Sequence, residues 1–374
     1  MRRILFLLVF FALLAISACG PRPATTPIAP PAVSPTASPL PAEPTATSEP
    51  QPVTLTVMTH DSFAASEDVI KAFESANNVK LVFLPSGDTG AALNKAILSK
   101  EAPLADVFYG VDNTFLSRAL EADLFEPYRS PLLDAIPPEF QLDPQHRVTP
   151  VDYGDVCINY DKAYFAEKNL PVPQTLEDLT RPDYKGLLVV ENPATSSPGL
   201  AFLLATVAHF GDPGYLDFWR ALKANDVVIV PDWETAYYTN FSASSGKGPQ
   251  PMVVSYGSSP PAEVIFAEKP LEEAPTASLI GPDMCFRQIE FVGILKGTKQ
   301  RELAQKFVDF MLSPTFQEDM PLQMFVFPVN PQAKLPDAFV QYAQIPQQPA
   351  RLDPAQIAAN REKWIQAWTD LMLK

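Results

Sequence analysis

From Leu55 onward, short β-branched or apolar runs alternate with amphipathic segments, and that alternation limits the chain to a sheet covered by helices. Residues 55–59, 80–84 and 106–109 predict strands, with helices over 66–75 and 90–99 between them. A second series follows, with strands at 187–190, 227–230 and 252–255 and helices at 200–209, 217–224 and 234–241. Regular strand–helix–strand succession implies mainly parallel sheets. The last third carries apolar residues at helical spacing over 301–312 and 353–371, two helices expected to pack back on the first lobe. The body is longer than a typical domain, so two lobes are the default expectation.

What precedes the body has a different character. Arg2 and Arg3 lead into an apolar run from Ile4 to Leu14, closed by Ile16-Ser17-Ala18-Cys19 in the pattern of a bacterial lipoprotein signal. The run is shorter than the roughly 20 residues a spanning helix needs. Residues 1–18 therefore read as a signal peptide and Cys19 as a lipidated N-terminus. Residues 21–52 hold 11 of the 41 prolines and no aromatic residue, a composition that cannot offset its ordering entropy by burial. Residues 19–53 are expected to be a disordered tether, about 100 Å long if extended as polyproline II. It would hold a soluble, extracytoplasmic body near a membrane.

The formal charge of −15 comes with no basic stripe, which argues against nucleic-acid binding and mildly favours cationic ligands. Export leaves Cys157 and Cys285 in an oxidising compartment where a disulfide is permitted. The three histidines, His60, His146 and His209, lack metal-ligand spacing, and no Gly-x-Ser-x-Gly, Walker or His-Glu-x-x-His motif occurs. Neither catalysis nor a cofactor or metal is expected.

Two junctions stand out. Thr195-Ser196-Ser197-Pro198-Gly199 follows one predicted strand, and Tyr256-Gly257-Ser258-Ser259-Pro260 follows another; each opens a helix with paired hydroxyls. Serine before proline is ordinary capping, but two such ends at carboxyl ends of strands also suit a polar or anionic group. Beside them lie Trp233, flanked by Asp232 and Glu234, with Tyr237 one turn later. Aromatic faces next to carboxylates suit a flat cation.

Taken in order, these stretches resemble the thiamine-binding proteins of bacterial ABC importers. The matching segments are 59–63 (Thr-His-Asp-Ser-Phe), 110–113 (Gly-Val-Asp-Asn), 195–200, 232–237 and 255–260. Others are 302–307 with 311–314, and 327–329. The resemblance implies an α/β, two-lobed, type II periplasmic-binding-protein-like fold, each lobe a mainly parallel sheet flanked by helices, with the ligand cleft between lobes. Lobe 1 would comprise 54–152 plus 287–374, and lobe 2 residues 153–286. It further implies a ligand site at Asp88, Thr89, Ser196, Ser197, Trp233, Tyr256, Gly257, Ser258 and Ser259. His60, Asp61, Tyr237 and Phe325 are added as further pocket candidates. His60 and Phe325 depart from the family's usual tyrosine and tryptophan, and a charge on His60 below about pH 6.5 would oppose a thiazolium.

The function so implied is a monomeric, lipid-anchored receptor that passes thiamine, with its phosphate esters as further candidates, to an ABC permease and its ATPase. A ferric-ion binder using Tyr237 and Tyr238 is the alternative. Those side chains would point about 100° apart on a regular helix, so at most one could join Trp233 on its face. An exported hydrolase ranks below both.

Overall fold

Two long strands that hydrophobic periodicity does not single out hold the molecule together. In the computed structural model, which describes residues 52–243 and 247–374, they are β5 (Thr149–Asp161) and β10 (Phe286–Leu295), antiparallel neighbours at the centre of an 11-stranded sheet. On one side of β10 come β3 (Val107–Asp112), β1 (Val53–Thr59) and β2 (Val79–Pro85), with β1 parallel to both β2 and β3. On the far side of β5 come β8 (Met252–Tyr256), β6 (Leu188–Glu191) and β7 (Val228–Val230), again mutually parallel. Short strands β4 (Phe125–Glu126), β9 (Thr276–Leu279) and β11 (Phe327–Pro328) pair with β10 or β5. The flanks are thus parallel, as the alternation predicts, and the centre is antiparallel. β1 begins at Val53, inside the segment assigned to the tether; the rest of that tether, the signal and Cys19 lie outside the described residues.

Six described helices reach ten residues: α1 (Glu67–Asn77), α2 (Thr89–Leu98), α3 (Ser197–Phe210), α4 (Gly214–Ala224), α5 (Arg301–Met311) and α6 (Pro354–Met372). None is long and apolar enough to cross a membrane. Helices α1 and α5 cover β1–β3 through Phe73, Phe307 and Met311, as expected. The last helix departs from expectation. Its apolar face, Trp364, Ile365, Trp368 and Met372, seats on α4, with Trp368 edge-on to Trp219 at 5.4 Å. With Trp368 packed on Trp219, α6 lies on the second series of elements instead. Arg361 ties the same helix back to Ser117 Oγ and the Thr114 carbonyl.

β5 and β10 are stitched by polar side chains. Arg287 grips Asp155 through two 2.8 Å bonds and lies over the Tyr153 ring, which stacks between Phe140 and Phe327. Nearby, a fully buried disulfide joins Cys157 on β5 to Cys285 just before β10.

Candidate functional site

Asp88 is where three elements meet. It is the residue before α2, and its Oδ1 accepts from Thr89 N at 2.6 Å and from Ser197 N, at the start of α3, at 3.5 Å. Its Oδ2 accepts from Trp233 N at 3.3 Å. Burial pushes its carboxyl above the usual range, against the pull of these donors. The approach is close: a Cβ on Gly90 would sit 2.8 Å from the carbonyls of both Ala194 and Thr195, so only glycine lets α2 dock there.

A chain of hydroxyls and amides continues from this point. Thr89 Oγ1 donates to the Gly110 carbonyl, and Ser197 Oγ lies 3.2 Å from Thr89 Oγ1. Gln288 Nε2 donates to Ser197 Oγ and Asp112, while the Tyr256 hydroxyl donates to Gln288 Oε1. Tyr256 can lie flat here because Gly154 lacks a side chain; a Cβ would come within 2.7 Å of the ring.

Trp233 follows β7 and begins a turn whose hydrogen bonding widens to the π form over Thr235–Asn240, with Phe241 N donating to the Ala236 carbonyl. Tyr237 stacks on Trp233 at 4.9 Å and 18°, and Tyr238 meets it edge-on at 5.4 Å. This corrects the regular-helix expectation that at most one tyrosine could join the tryptophan: the wider turn brings both against it. The Trp233 indole N–H donates to Ser255 Oγ, which fixes the ring's tilt.

The cleft surrounding these residues encloses about 710 Å³ with its open mouth included. Asp88, Thr89, Ser197, Trp233, Tyr256, His60 and Phe325 line it. Asp61 lies at an adjoining opening, and Tyr237 and Ser259 face a neighbouring chamber. Ser196, fully buried, caps α3 by accepting from Gly199 N. Gly257 and Ser258 do not reach the cleft wall. Gly257 is pinned to Asp155 and Gln344 by backbone bonds, and Ser258 is fully buried.

The expected anion-binding helix ends look different in place. Asp88 and Ser196 already satisfy the start of α3, and Ser259 turns back to Ser255 and Tyr256 N instead of capping the short helix that follows. Cleft and chambers are acidic: Asp61, Asp88, Asp232, Glu234 and Glu290 line them, and Lys247 in the outer chamber is the one cation among the lining residues.

Sequence reading missed Glu290 and Met324, and gave Tyr238 only to the ferric-ion alternative. Glu290 sits on a strand without alternation, and Tyr238 needed the π turn. An acid inside an otherwise apolar run, Ile289-Glu290-Phe291-Val292, was the available signal for the first.

Charges at the cleft floor are tuned by burial. His60 is held down to about 4, so it stays neutral well below the pH 6.5 considered from sequence, and its conflict with a cationic ring disappears. Asp112, fully buried, is raised to about 7, chiefly by desolvation. Between about pH 4 and pH 7 the folded protein keeps a proton on Asp112 that the unfolded chain gives up, so this group's stabilising contribution falls as pH rises. Asp112→Asn cannot ionise. Its melting temperature relative to the parent is expected to climb from pH 4 to pH 8 in a denaturation series, whatever its pH-independent cost, and a flat difference would show Asp112 ionised throughout.

A model of bacterial extracellular solute-binding proteins matches residues 102–346. The thiamine-binding periplasmic protein of Salmonella typhimurium strain LT2 is 32% identical over 321 residues, 84% of this chain and 92% of that one. Among solved structures, a periplasmic thiamin-binding protein superposes with a TM-score of 0.76 at 30% identity, covering 87% of this chain and 98% of the other. The periplasmic binding protein AfuA from Actinobacillus pleuropneumoniae, with fructose-6-phosphate bound, gives 0.72 at 23% identity over 86% and 98% of the two chains.

Proposed function

Because the chain belongs to the bacterial extracellular solute-binding proteins, we propose that it captures free thiamine outside the cytoplasm and delivers it to an ABC permease driven by a separate ATPase. The observation that carries this reading is the Trp233 platform. One ring is backed by Tyr237, edged by Tyr238 and surrounded by carboxylates, with no Lys or Arg in the main cleft. A flat cation gains from both features: a ring face attracts it by about 0.5 to 2 kcal/mol, and the acidic walls add long-range attraction. The thiazolium and aminopyrimidine of thiamine are two flat rings carrying one such charge.

The same acidity orders the ligands. A phosphate ester brings negative charge into a site whose lining holds a single cation, Lys247 in the outer chamber, so affinity is expected to fall from thiamine to its monophosphate to its diphosphate. The site binds and does not catalyse. Lobe boundaries at 152/153 and 286/287 place the hinge in β5 and β10, with α6 as a third contact between lobes. Cys19 would carry the lipid and residues 19–53 the tether.

The ferric-ion reading loses its ligand pair. The Tyr237 hydroxyl is buried and donates to Glu263 at 2.5 Å, which takes it out of a pair with Tyr238.

Removing the platform tests the proposal. Trp233→Ala leaves the backbone N–H that Asp88 uses and is expected to weaken thiamine binding by about 1 to 3 kcal/mol in calorimetry. Unchanged affinity would take Trp233, and with it the stacking account, out of the site.

A further inference from the structure

At the cleft floor, one buried ring nitrogen has no partner within the protein and lies beside a buried acid. Glu290 and His60 both line the cleft, and they are 6% and 7% exposed. His60 Nε2 has no hydrogen-bond partner and stands 3.5 Å from Glu290 Oε1. The other Glu290 oxygen is already engaged, since Oε2 accepts from the Tyr109 hydroxyl, which also donates to Asp152. The His60 ring is set by its seat on Gly110, where φ is +107° and a Cβ would come within 2.5 Å of the imidazole. Leaving a nine-tenths-buried donor or acceptor unpaired costs on the order of 1 to 3 kcal/mol. A ring nitrogen left so, beside the buried Glu290 carboxyl and oriented by its neighbours, is what a ligand with a matching group would complete.

We propose that Glu290 and His60 read the edge of an amino-substituted, nitrogen-containing aromatic ring: Glu290 Oε1 accepts from the exocyclic amino group, and His60, with its proton on Nε2, donates to the adjacent ring nitrogen. Neutral imidazole supplies that donor without adding positive charge beside a cation, in keeping with the lowered His60 value. The acids facing Glu290 are Asp152 on β5 and Asp112 on β3, with the Tyr109 hydroxyl between β3 and β5 and His60 at the end of β1; burial, then these acids, raises the Glu290 carboxyl well above its usual range, and Oε1 accepts as its carbonyl oxygen. The inference deepens the thiamine reading, whose aminopyrimidine has this edge, and supplies the selectivity that stacking alone lacks.

An analogue with oxygen in place of the amino group inverts both positions, offering a carbonyl to Glu290 and a ring N–H to His60. Sites that hydrogen-bond a substrate edge reject such analogues by large factors. Calorimetry should find the 4-oxo analogue of thiamine at least about 100-fold weaker than thiamine on the unaltered protein. Glu290→Gln, whose amide can turn its NH₂ to the carbonyl, should shrink that ratio to within about tenfold. A ratio near one on the unaltered protein, or one that Glu290→Gln leaves unchanged, overturns the proposal. If that variant fails to fold, thiamine lacking the amino group serves on the unaltered protein. Binding at least about tenfold weaker supports the edge reading, and equal binding overturns it. Free 4-amino-2,5-dimethylpyrimidine separates the two claims: if it binds where thiamine does not, the edge reading stands and the thiamine reading falls. If neither binds, both fall.

Discussion

Replacing Asp88 with alanine is expected to weaken thiamine binding by about 3 kcal/mol, roughly 150-fold. Three backbone N–H groups, from Thr89, Ser197 and Trp233, converge on this carboxylate. Each belongs to a different wall of the cleft, so the loss is geometric as well as electrostatic. Without the acceptor, the start of α2 and the start of α3 lose a shared cap, and each such loss costs about 1 kcal/mol in ordinary helices. The Trp233 turn loses the hydrogen bond that ties it to the start of α2, and the cleft loses one of its acids. Asp88→Asn keeps one acceptor oxygen but sets an NH₂ against the N–H of Trp233 or of Thr89 and Ser197, so near-parental affinity would show that neither the charge nor the second acceptor is needed, and a loss close to that of alanine would show that at least one is. Calorimetry on both variants, with melting curves to show that each is folded, distinguishes the two.

Removing the Cys157–Cys285 bridge by a double change to serine is expected to cost about 4 to 5 kcal/mol of stability. The bridge closes a loop with a sequence separation of 128, and in the chain-entropy picture long loops gain most from closure. Position matters as much as length. Both sulfurs are fully buried, where Cys157 lies beneath the Tyr256–Ser259 loop, and a Cβ on Gly257 would approach its sulfur to 3.5 Å. The double serine variant also leaves two buried hydroxyls, a further penalty. Denaturant unfolding should show a lower midpoint. Because neither sulfur lines the cleft, thiamine affinity in the variant should fall less than stability does.

The flanks of the sheet were legible because β1–β3 and β6–β8 are apolar runs between amphipathic helices, and burial on both faces demands that pattern. The centre was not. β5 reads Thr-Pro-Val-Asp-Tyr-Gly-Asp, with residues that disfavour strands, and β10 opens Phe286-Arg287-Gln288 and holds Glu290. Tertiary pairing overrides those preferences: Asp155 is answered by Arg287, and Asp152 by Tyr109. The polar residues that hid these strands from periodicity are the ones that build the cleft floor. Trp233, Tyr256 and the Ser196-Ser197 pair were legible from composition beside strand ends. Tyr238 was not, because a π turn changes which side chains share a face and no local residue announces it. The second serine pair was legible as a motif, and the structure buries Ser258 and turns the Ser259 hydroxyl to its own loop.

A thermal-shift series with thiamine, its monophosphate, its diphosphate and ferric citrate tests the central claim most directly. At a concentration about 100 times a dissociation constant, a ligand adds about 2.7 kcal/mol to the folded state. An acidic aromatic cleft predicts the largest rise in melting temperature with thiamine, smaller rises with the two esters in order of added charge, and none with ferric citrate. No shift with thiamine at about a hundred micromolar, or a larger one with ferric citrate, would contradict it.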